Sequence, residues 1–567
     1  MNIFTYKEEE LLGTVESVDT STVIIKVDDD DKLKGIQVNH LIAIQSSRIG
    51  QHLIGLVSKI IRKSAYSDTN IDALPEIGSN IIKVVLIGTH FDKDGTRENV
   101  FRRSLTTIPT INAECHLING ERLKRFMQTI SSIPEGEDAV SLQIGSYSID
   151  NDATAWLNGN KLFQRHAVIV GSTGSGKSWC VARILEQVAS LKSADALLFD
   201  IHGEYSTLQG AGFTHLKIAG PNDEMKEDLL FLPYWLLTYE EMLSLMLDRS
   251  DNNAPNQAMM FSKKVIEGKK KFLQDCGYNE MASNITLDSP IPYDLNNLLA
   301  SLKELDEEKK KGERGEKQGP YFNKLTRFIE RLANKQADKR LNFMFSLDNR
   351  LLNYDYMSEL CSKLMQPAND GKKGVKVIDF SEVPSDILPL IVSLVARVIF
   401  SVQQWSEVNH RHPIAIFCDE AHLYIPANTE KSIDDASLVT FERISKEGRK
   451  YGIGLVVISQ RPSEVNRTVL SQSSNFIAMR LTNVDDQSVV KRLLPDSLGD
   501  YAEMLPILDI GEALVVGDAS LLPSRIRITP PNMKPRSATV DFWDEWSKNS
   551  TAVDIYGAIE ALRKQSK

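Results

Sequence analysis

Residues 171–178, with the sequence GSTGSGKS, have the composition and spacing of a phosphate-binding loop. An apolar run at 167–170 precedes them, and a helix-compatible stretch follows. Glycines let the backbone curl so that its N–H groups point at phosphate oxygens, and the helix adds the positive end of its dipole. Lys177 would place its charge at the β- and γ-phosphates of ATP, and Ser178 would offer a hydroxyl to Mg²⁺. The loop therefore predicts binding of ATP with Mg²⁺.

Further residues of this loop are expected around the nucleotide because they flank the lysine on both sides. They are Thr173, Gly174, Ser175, Gly176 and Trp179. A loop of this kind opens the core of P-loop NTPases, which require a second strand that ends in a carboxylate.

A second apolar run, 414–418, ends in Asp419 and Glu420. Ligands of open α/β sheets bind at the carboxyl ends of the strands, where both acids would lie. We expect Asp419 to hold Mg²⁺ through water and Glu420 to polarise the attacking water as general base. A plain strand end is the alternative interpretation.

A third apolar run ends in Asp200, with Glu204 four residues later. These two acids could extend the metal and water network around the nucleotide, or they could form a local cap and turn. A further strand, 453–459, ends in Gln460, whose amide could sense the γ-phosphate. Arg449, just before that strand, could reach a neighbouring subunit as an arginine finger. A surface arginine is the alternative for Arg449.

The elements that must position these residues alternate between strand and helix from about residue 146, which predicts an α/β fold with a parallel sheet. Residues 1–145 are rich in short strands and predict a small β-barrel or sandwich. The helical and polar segment 221–365 interrupts the core, which comprises 146–220 and 366–529, and a tail follows at 530–567. The predicted strands are 167–170, 196–200, 375–380, 414–419, 453–459, 476–480 and 513–516.

Charge is concentrated in two short segments. The acidic run 28–31 is interpreted as a solvated hairpin tip, and the mixed-charge run 303–317 as an exposed helix end or a disordered loop. A nucleic-acid contact is the alternative for the second run.

Composition places the chain among ordinary globular proteins, because 42% of its 567 residues are hydrophobic and 25% are charged. The net charge of −10 shows no basic nucleic-acid-binding surface in the total, although local charge decides phosphate contact. The five cysteines lack metal-site spacing and indicate reduced thiols. The run 387–402 is broken by Pro389 and Arg397 and is too short to span a bilayer. A cytoplasmic protein without a membrane anchor is expected.

Five motifs, in order along the chain, resemble the HerA branch of the HerA/FtsK ATPases. They are RHAVIVGSTGSGKS, LLFDIHGEYS, AIFCDEAHLYIP, EGRKYGIGLVVISQRPSEV and IGEALVVG. The resemblance implies a RecA-like core with a small N-terminal β-barrel and an inserted helical domain. It also implies a homohexameric ring that hydrolyses ATP between subunits and passes double-stranded DNA through its pore. In this family an upstream arginine lies near the intersubunit site, a place that Arg165 would take, and Arg449 would be the finger.

Two functional hypotheses follow from the resemblance. The first is a double-stranded DNA translocase or helicase motor that works with a separately encoded nuclease. The second is a ring-shaped scaffold that assembles and activates an antiphage effector, such as a NAD-hydrolysing sirtuin or a nuclease. A conjugation or secretion motor is a third option, which the missing membrane segments disfavour.

Overall fold

The computed structural model describes residues 2–61, 80–130, 142–210, 212–312, 315–346, 348–369, 373–428, 432–493, 502–520, 522–536, 542–548 and 554–564. The described residues divide into two compact units. The first comprises Met1–Ile184, Gln460–Ser463 and Ser473–Asn532, and the second comprises Leu185–Ser459, Glu464–Gln472 and Met533–Lys567.

The first unit begins with a closed antiparallel barrel of six strands in the order β2-β1-β7-β3-β4-β5, in which β2 also pairs with β5. The strands are β1 (Leu11–Val18), β2 (Thr22–Val27), β3 (Leu41–Gln45), β4 (Gln51–Ile61), β5 (Asn80–Asp94), β6 (Arg97–Arg102) and β7 (Glu114–Ile118). Strand β6 adds to the outer edge of β5, and inward-facing aliphatic side chains fill the interior. The barrel prediction is confirmed.

Two short helices belong to the barrel, α1 (Asp30–Lys34) and α2 (Gly120–Ile130). The acidic run 28–31, predicted as a hairpin tip, instead starts α1. The Asp29 carboxylate accepts hydrogen bonds from the backbone N–H groups of Asp31 and Lys32, which is N-capping. The acidic residues therefore form the N-cap and the first turn of a helix.

The first unit also contains β10, the strand that directly precedes the predicted phosphate-binding loop, and five further strands that form a sheet with it. Its strand order is β10-β19-β20-β21-β8-β9, in which β10 and β19 are parallel and the remaining pairs are antiparallel. The elements are β8 (Leu142–Tyr147), β9 (Asp150–Leu157), α3 (Gly159–Gln164), β10 (Ala167–Val170), α4 (Lys177–Ala189), β19 (Asn475–Met479), α15 (Val484–Leu493), β20 (Glu512–Gly517) and β21 (Ser524–Ile528). The strand predicted at 513–516 exists but runs antiparallel.

The boundary predicted at residue 145 falls inside β8. This strand pairs with β21, so it belongs to the sheet that carries the nucleotide loop rather than to the barrel. The other predicted domain boundaries remain predictions.

The second unit contains six parallel strands in the order β13-β12-β16-β11-β17-β18. They are β11 (Ala196–Asp200), β12 (Phe213–Ile218), β13 (Leu229–Leu230), β16 (Val375–Asp379), β17 (Ile414–Cys418) and β18 (Ile453–Ser459). Every residue of β11, β17 and β18 is buried, as the apolar sequences of central parallel strands require. The predicted α/β fold is confirmed.

The second unit also contains helices. They are α5 (Tyr239–Met246), α6 (Ala254–Asp275), α7 (Asn279–Asn284), α8 (Leu295–Asp306), α9 (Thr326–Ala337), α10 (Asn342–Phe345), α11 (Tyr356–Met365), α12 (Leu388–Trp405), α13 (Ser432–Glu447), α14 (Arg467–Gln472), α16 (Phe542–Ser547) and α17 (Ile555–Lys564). Those from α5 to α11 lie in the region predicted as a helical insertion. The charge run 303–317 is the end of α8 followed by a hairpin of β14 (Lys309–Gly312) and β15 (Gly315–Gln318), with Glu313 and Arg314 outside the described residues.

Helix α12 is a core helix. It is long and apolar enough to cross a membrane by length and composition, but 72% of it is buried within the protein. The Arg397 guanidinium on α12 donates two hydrogen bonds to the Glu241 carboxylate on α5, each 2.7 Å long. This bidentate pair, in which Glu241 is buried and Arg397 is partly buried, joins α5 to α12.

Candidate nucleotide-binding site

The phosphate-binding loop connects β10 to α4 with the backbone geometry that its glycines allow. Gly174 and Gly176 have φ values of 74° and 107°, in the left-handed region that side chains rarely adopt. A Cβ atom on Gly176 would also lie 2.9 Å from Met479 Cε. Lys177, the first residue of α4, is buried. The loop thus has the shape and the buried cation that bound phosphates require.

Backbone hydrogen bonds hold this loop against neighbouring segments of the first unit. The Ser172 N–H donates to the Arg480 carbonyl at 2.8 Å, and the Gly511 N–H donates to the Ser175 carbonyl at 3.0 Å. The Ser175 N–H donates within the loop to Ser172, so Ser175 acts through its backbone in shaping the turn. Its Oγ is buried, and it has no hydrogen-bond partner in the described part of the chain.

The side chain of Gln460 contacts the phosphate-binding loop. Thr173 Oγ1 donates a 2.7 Å hydrogen bond to Gln460 Oε1. The Thr173 side chain is exposed and Gln460 is partly so, so a ligand can contact both. Gln460 directly follows β18, and a strand end is a fixed position from which an amide can report on a phosphate.

Acidic side chains collect at the carboxyl ends of three adjacent parallel strands in the second unit. Asp379 ends β16, Asp200 ends β11, and Asp419 follows β17. Burial raises the pKa of Asp419 well above its usual value, and the negative charges of Glu420, Asp200 and Glu204 raise it further. A cation at this edge would be favoured, because it would stabilise the ionised form of Asp419.

Asp200 has the hydrogen bonds of the local cap that was the alternative interpretation. Its two carboxylate oxygens accept from the backbone N–H groups of Glu204 and Tyr205, at 3.0 and 2.9 Å. Burial raises its pKa to about 6, against the effect of these hydrogen bonds. Asp200 therefore shapes the turn that presents Glu204, whose carbonyl accepts a 2.7 Å hydrogen bond from the Arg536 N–H of the tail. Direct contact of either acid with nucleotide remains a prediction.

Glu420 has an unusual backbone conformation, with φ and ψ both 45°. Its Oε2 atom is buried and has no hydrogen-bond partner among the described residues, although His422 Nδ1 lies 3.3 Å away. His422 and Ser459, 3.4 Å apart, are neighbours that the motif analysis left without a role.

Each predicted arginine lies just before the amino end of a strand, whereas the predicted nucleotide-binding groups follow the carboxyl ends of the strands. Arg165 precedes β10, whose other end carries the phosphate loop, and it pairs with Asp518 at 3.4 Å. Arg449 lies in a short turn, Gly448–Tyr451, before β18. The seven residues of β18 separate Arg449 from the carboxyl edge by about 20 Å, at about 3.3 Å per residue. Among the described residues of its own unit, neither arginine lies beside the predicted site groups.

Arg480 is a basic residue that motif reasoning missed. It follows β19, the parallel neighbour of β10, and its carbonyl is bonded to the phosphate loop. Its Nε is buried and lacks a hydrogen-bond partner in the described ranges. An arginine directly after an apolar strand was the available signal, because strand ends of a parallel sheet meet at the ligand edge.

The "Helicase HerA, central domain" family model matches residues 142–399. This range contains the phosphate loop, the Asp200 turn and the helical region through α12. The chain is a HerA-like P-loop ATPase. Asp419, Glu420, Arg449 and Gln460 lie beyond the matched range, so their assignment depends on the geometry above.

Curated relatives extend the HerA likeness over most of the chain. The DNA double-strand break repair helicase HerA of Sulfurisphaera tokodaii is 26% identical over 428 residues, which cover 74% of this chain and 75% of the relative. The HerA helicase of Pyrococcus furiosus is 24% identical over 484 residues, which cover 77% and 80%.

Solved structures that align with this chain include two bacterial proteins. The conjugative coupling protein TrwB aligns with 74% of the HerA-like chain and 93% of its own, at 12% identity and a TM-score of 0.45. VirB4 of Thermoanaerobacter pseudethanolicus aligns with 71% and 99%, at 15% identity and a TM-score of 0.46.

Proposed function

We propose that this HerA-like ATPase is a double-stranded DNA translocase that assembles as a homohexameric ring in the cytoplasm and works with a separately encoded nuclease or effector. The observation that carries the ATP-driven part is the Thr173–Gln460 hydrogen bond, which links the phosphate loop to the end of a neighbouring strand segment. The DNA substrate is supported by the relatives, which are named as DNA double-strand break repair helicases.

The residues present suit ATP and Mg²⁺. Gly174 and Gly176 have the left-handed backbone of a phosphate cradle, and Lys177 starts the helix that follows. Asp419 supplies a hard oxygen ligand, and Mg²⁺ usually takes one or two carboxylates together with phosphates and water. Ser178 would complete the protein contribution. Bound Mg²⁺ would neutralise charge on the β- and γ-phosphates.

In the proposed mechanism, Lys177 holds the β- and γ-phosphates while Glu420 accepts a proton from the attacking water. The water oxygen bonds to the γ-phosphorus, and the bond from that phosphorus to the bridging oxygen breaks, giving ADP and phosphate. Gln460 reports the γ-phosphate through its contact with Thr173. Arg480, bonded through its backbone to the loop, adds a positive charge on the same side of the sheet.

The positions of Arg165 and Arg449 support a ring. Each lies just before the amino end of a strand, Arg165 before β10 and Arg449 before β18, which is consistent with the proposal that each contacts nucleotide in a neighbouring copy. An arginine supplied in trans stabilises charge in the transition state and is worth about 10³–10⁵ in rate. Hydrolysis would then depend on assembly.

The test is ATP turnover by the wild-type chain and by Lys177→Ala, each with and without linear duplex DNA. A DNA motor predicts turnover that duplex DNA stimulates severalfold and that the substitution abolishes. Equal turnover with and without DNA would refute the motor and favour the scaffold hypothesis. Mass measurement in solution, alone and with candidate effectors, tests the ring and the partner separately.

A further inference from the structure

His422 lies in the turn Ala421–Leu423, directly beside the carboxylate of Glu420. Its Nδ1 atom is 3.3 Å from Glu420 Oε2 and 3.4 Å from the hydroxyl of Ser459. The side chains of His422 and Glu420 are only 11% and 12% exposed. One imidazole nitrogen therefore contacts both the predicted general base and the last residue of β18.

The backbone explains why two side chains so close in sequence can meet. Glu420 adopts the left-handed conformation, which non-glycine residues rarely use. The turn after it is firmly bonded: the Leu423 N–H donates to the Glu420 carbonyl at 2.9 Å, and the Tyr424 hydroxyl donates to the Asp419 carbonyl at 2.8 Å. His422 is consequently held in a fixed place relative to Glu420.

We propose that His422 is a positioning residue for Glu420, an inference that rests on the proposed role of Glu420 as general base. The imidazole, 3.3 Å from the buried Oε2 atom, would limit the movement of the carboxylate by contact, which leaves Oε1 to accept the proton of the attacking water. Unsupported, the carboxylate would sample other rotamers, and a displacement of about 1 Å can cost about 100-fold in rate.

The same contact connects the base to the strand that leads to Gln460. Ser459 is the last residue of β18 and immediately precedes Gln460. A shift at the end of β18 when Gln460 engages a γ-phosphate would move Ser459, and with it the His422 contact. His422 thus makes the placement of the base responsive to the strand that carries the predicted phosphate sensor.

The test compares His422→Ala and His422→Asn in the full-length chain. We expect the alanine variant to lose about 10–100-fold in kcat, with KM for ATP changed less than twofold, because it misplaces the base without removing phosphate contacts. The asparagine variant should recover most of the rate, since its amide nitrogen can occupy the position of Nδ1. His410→Ala is the matched control, because it removes an exposed histidine that lies 3.4 Å from Glu407.

A double-mutant cycle separates positioning from a merely structural role. If His422 acts through Glu420, then His422→Ala should cause no further loss of single-turnover rate in a Glu420→Gln background. Multiplicative losses in the double variant would overturn the inference. Should His422→Ala fail to fold, as judged by thermal unfolding, the same cycle is made with Ser459→Ala, and there too multiplicative losses overturn it.

The Glu420→Gln variant alone distinguishes the failure of the two proposals. Full turnover by that variant would refute Glu420 as the base, and the role of His422 would fall with it. Lost turnover in Glu420→Gln with wild-type turnover in His422→Ala would refute the positioning role and leave the proposed function intact.

Discussion

Replacement of Asn475 should loosen the segment that leads into the phosphate loop. Asn475 starts β19 and is buried, and its side-chain amide donates to the carbonyls of Lys161, Leu162 and His166 at 3.0, 3.3 and 3.0 Å. Its Oδ1 accepts from the Ala519 N–H at 2.7 Å. One side chain therefore joins four backbone groups around the start of β10.

The size of the effect follows from the groups that Asn475→Ala leaves behind. The buried Ala519 N–H loses its acceptor, which costs about 1–3 kcal/mol of unfolding free energy. The carbonyls of Lys161, Leu162 and His166 lose the side-chain amide that donates to all three. The sum is about 3 kcal/mol of unfolding free energy, which corresponds to a fall in Tm of about 6–12 °C for a domain of this size. The substitution would remove one contact that stabilises the left-handed conformation of His166, whose φ is 53°.

Thermal unfolding and nucleotide affinity of the purified variant provide the measurement. Asn151→Ala, at an exposed position of β9, is the matched control and should change Tm by less than about 2 °C. Asn475→Asp should be least destabilising at low pH, because only a protonated carboxyl can donate to the carbonyls. A fall in Tm of less than about 2 °C for Asn475→Ala would refute the reasoning.

Three further predictions concern other parts of the molecule. Burial raises the pKa of Asp200 to about 6. The protonated carboxyl therefore contributes fully to the free energy of unfolding below about pH 4, and this contribution is lost as pH rises through 6. Urea unfolding should show that the free energy of unfolding of the wild type, relative to Asp200→Asn, falls by up to about 3 kcal/mol between pH 4 and 7.5. Asp195→Ala removes the partner of the buried Lys376, 2.6 Å away, and should cost about 3–5 kcal/mol, whereas the double change Asp195→Leu with Lys376→Met should cost much less by the same measurement. Mixed Arg449→Ala and Glu420→Gln chains, each inactive alone, should regain part of the wild-type ATP turnover; no recovery at any mixing ratio would contradict a finger acting in trans.

The strands that carry the site were predictable because parallel central strands are apolar throughout. β11 and β18 have the predicted bounds, and β17 ends one residue before its predicted end. The phosphate loop was predictable because glycine spacing and a following lysine leave few alternative structures. These two signals were sufficient to predict both the α/β fold and ATP hydrolysis.

Other features depended on contacts that are distant in sequence. The strand at Glu512–Gly517 has the apolar pattern of a parallel strand, and only its pairing with β19 and β21 shows that it runs antiparallel. The partner of Arg165, Asp518, lies 353 positions away in the chain. The acidic run 28–31 contained its own signal, since Asp29 precedes two residues whose N–H groups it caps.

The division of the site between the two edges of the sheet has a mechanistic consequence. Asp419, Glu420 and Asp200 lie at or just beyond the carboxyl ends of their strands, and Arg165 and Arg449 precede the amino ends of theirs. Arg449 comes just before β18, and a strand cannot be shortened without loss of its backbone hydrogen bonds, so no loop rearrangement within the described residues of the second unit brings Arg449 to those acids. If the arginines act in hydrolysis, the active unit must contain at least two chains, and turnover per chain should rise with protein concentration. The dependence of turnover on protein concentration can be measured without knowledge of the DNA substrate or of any effector.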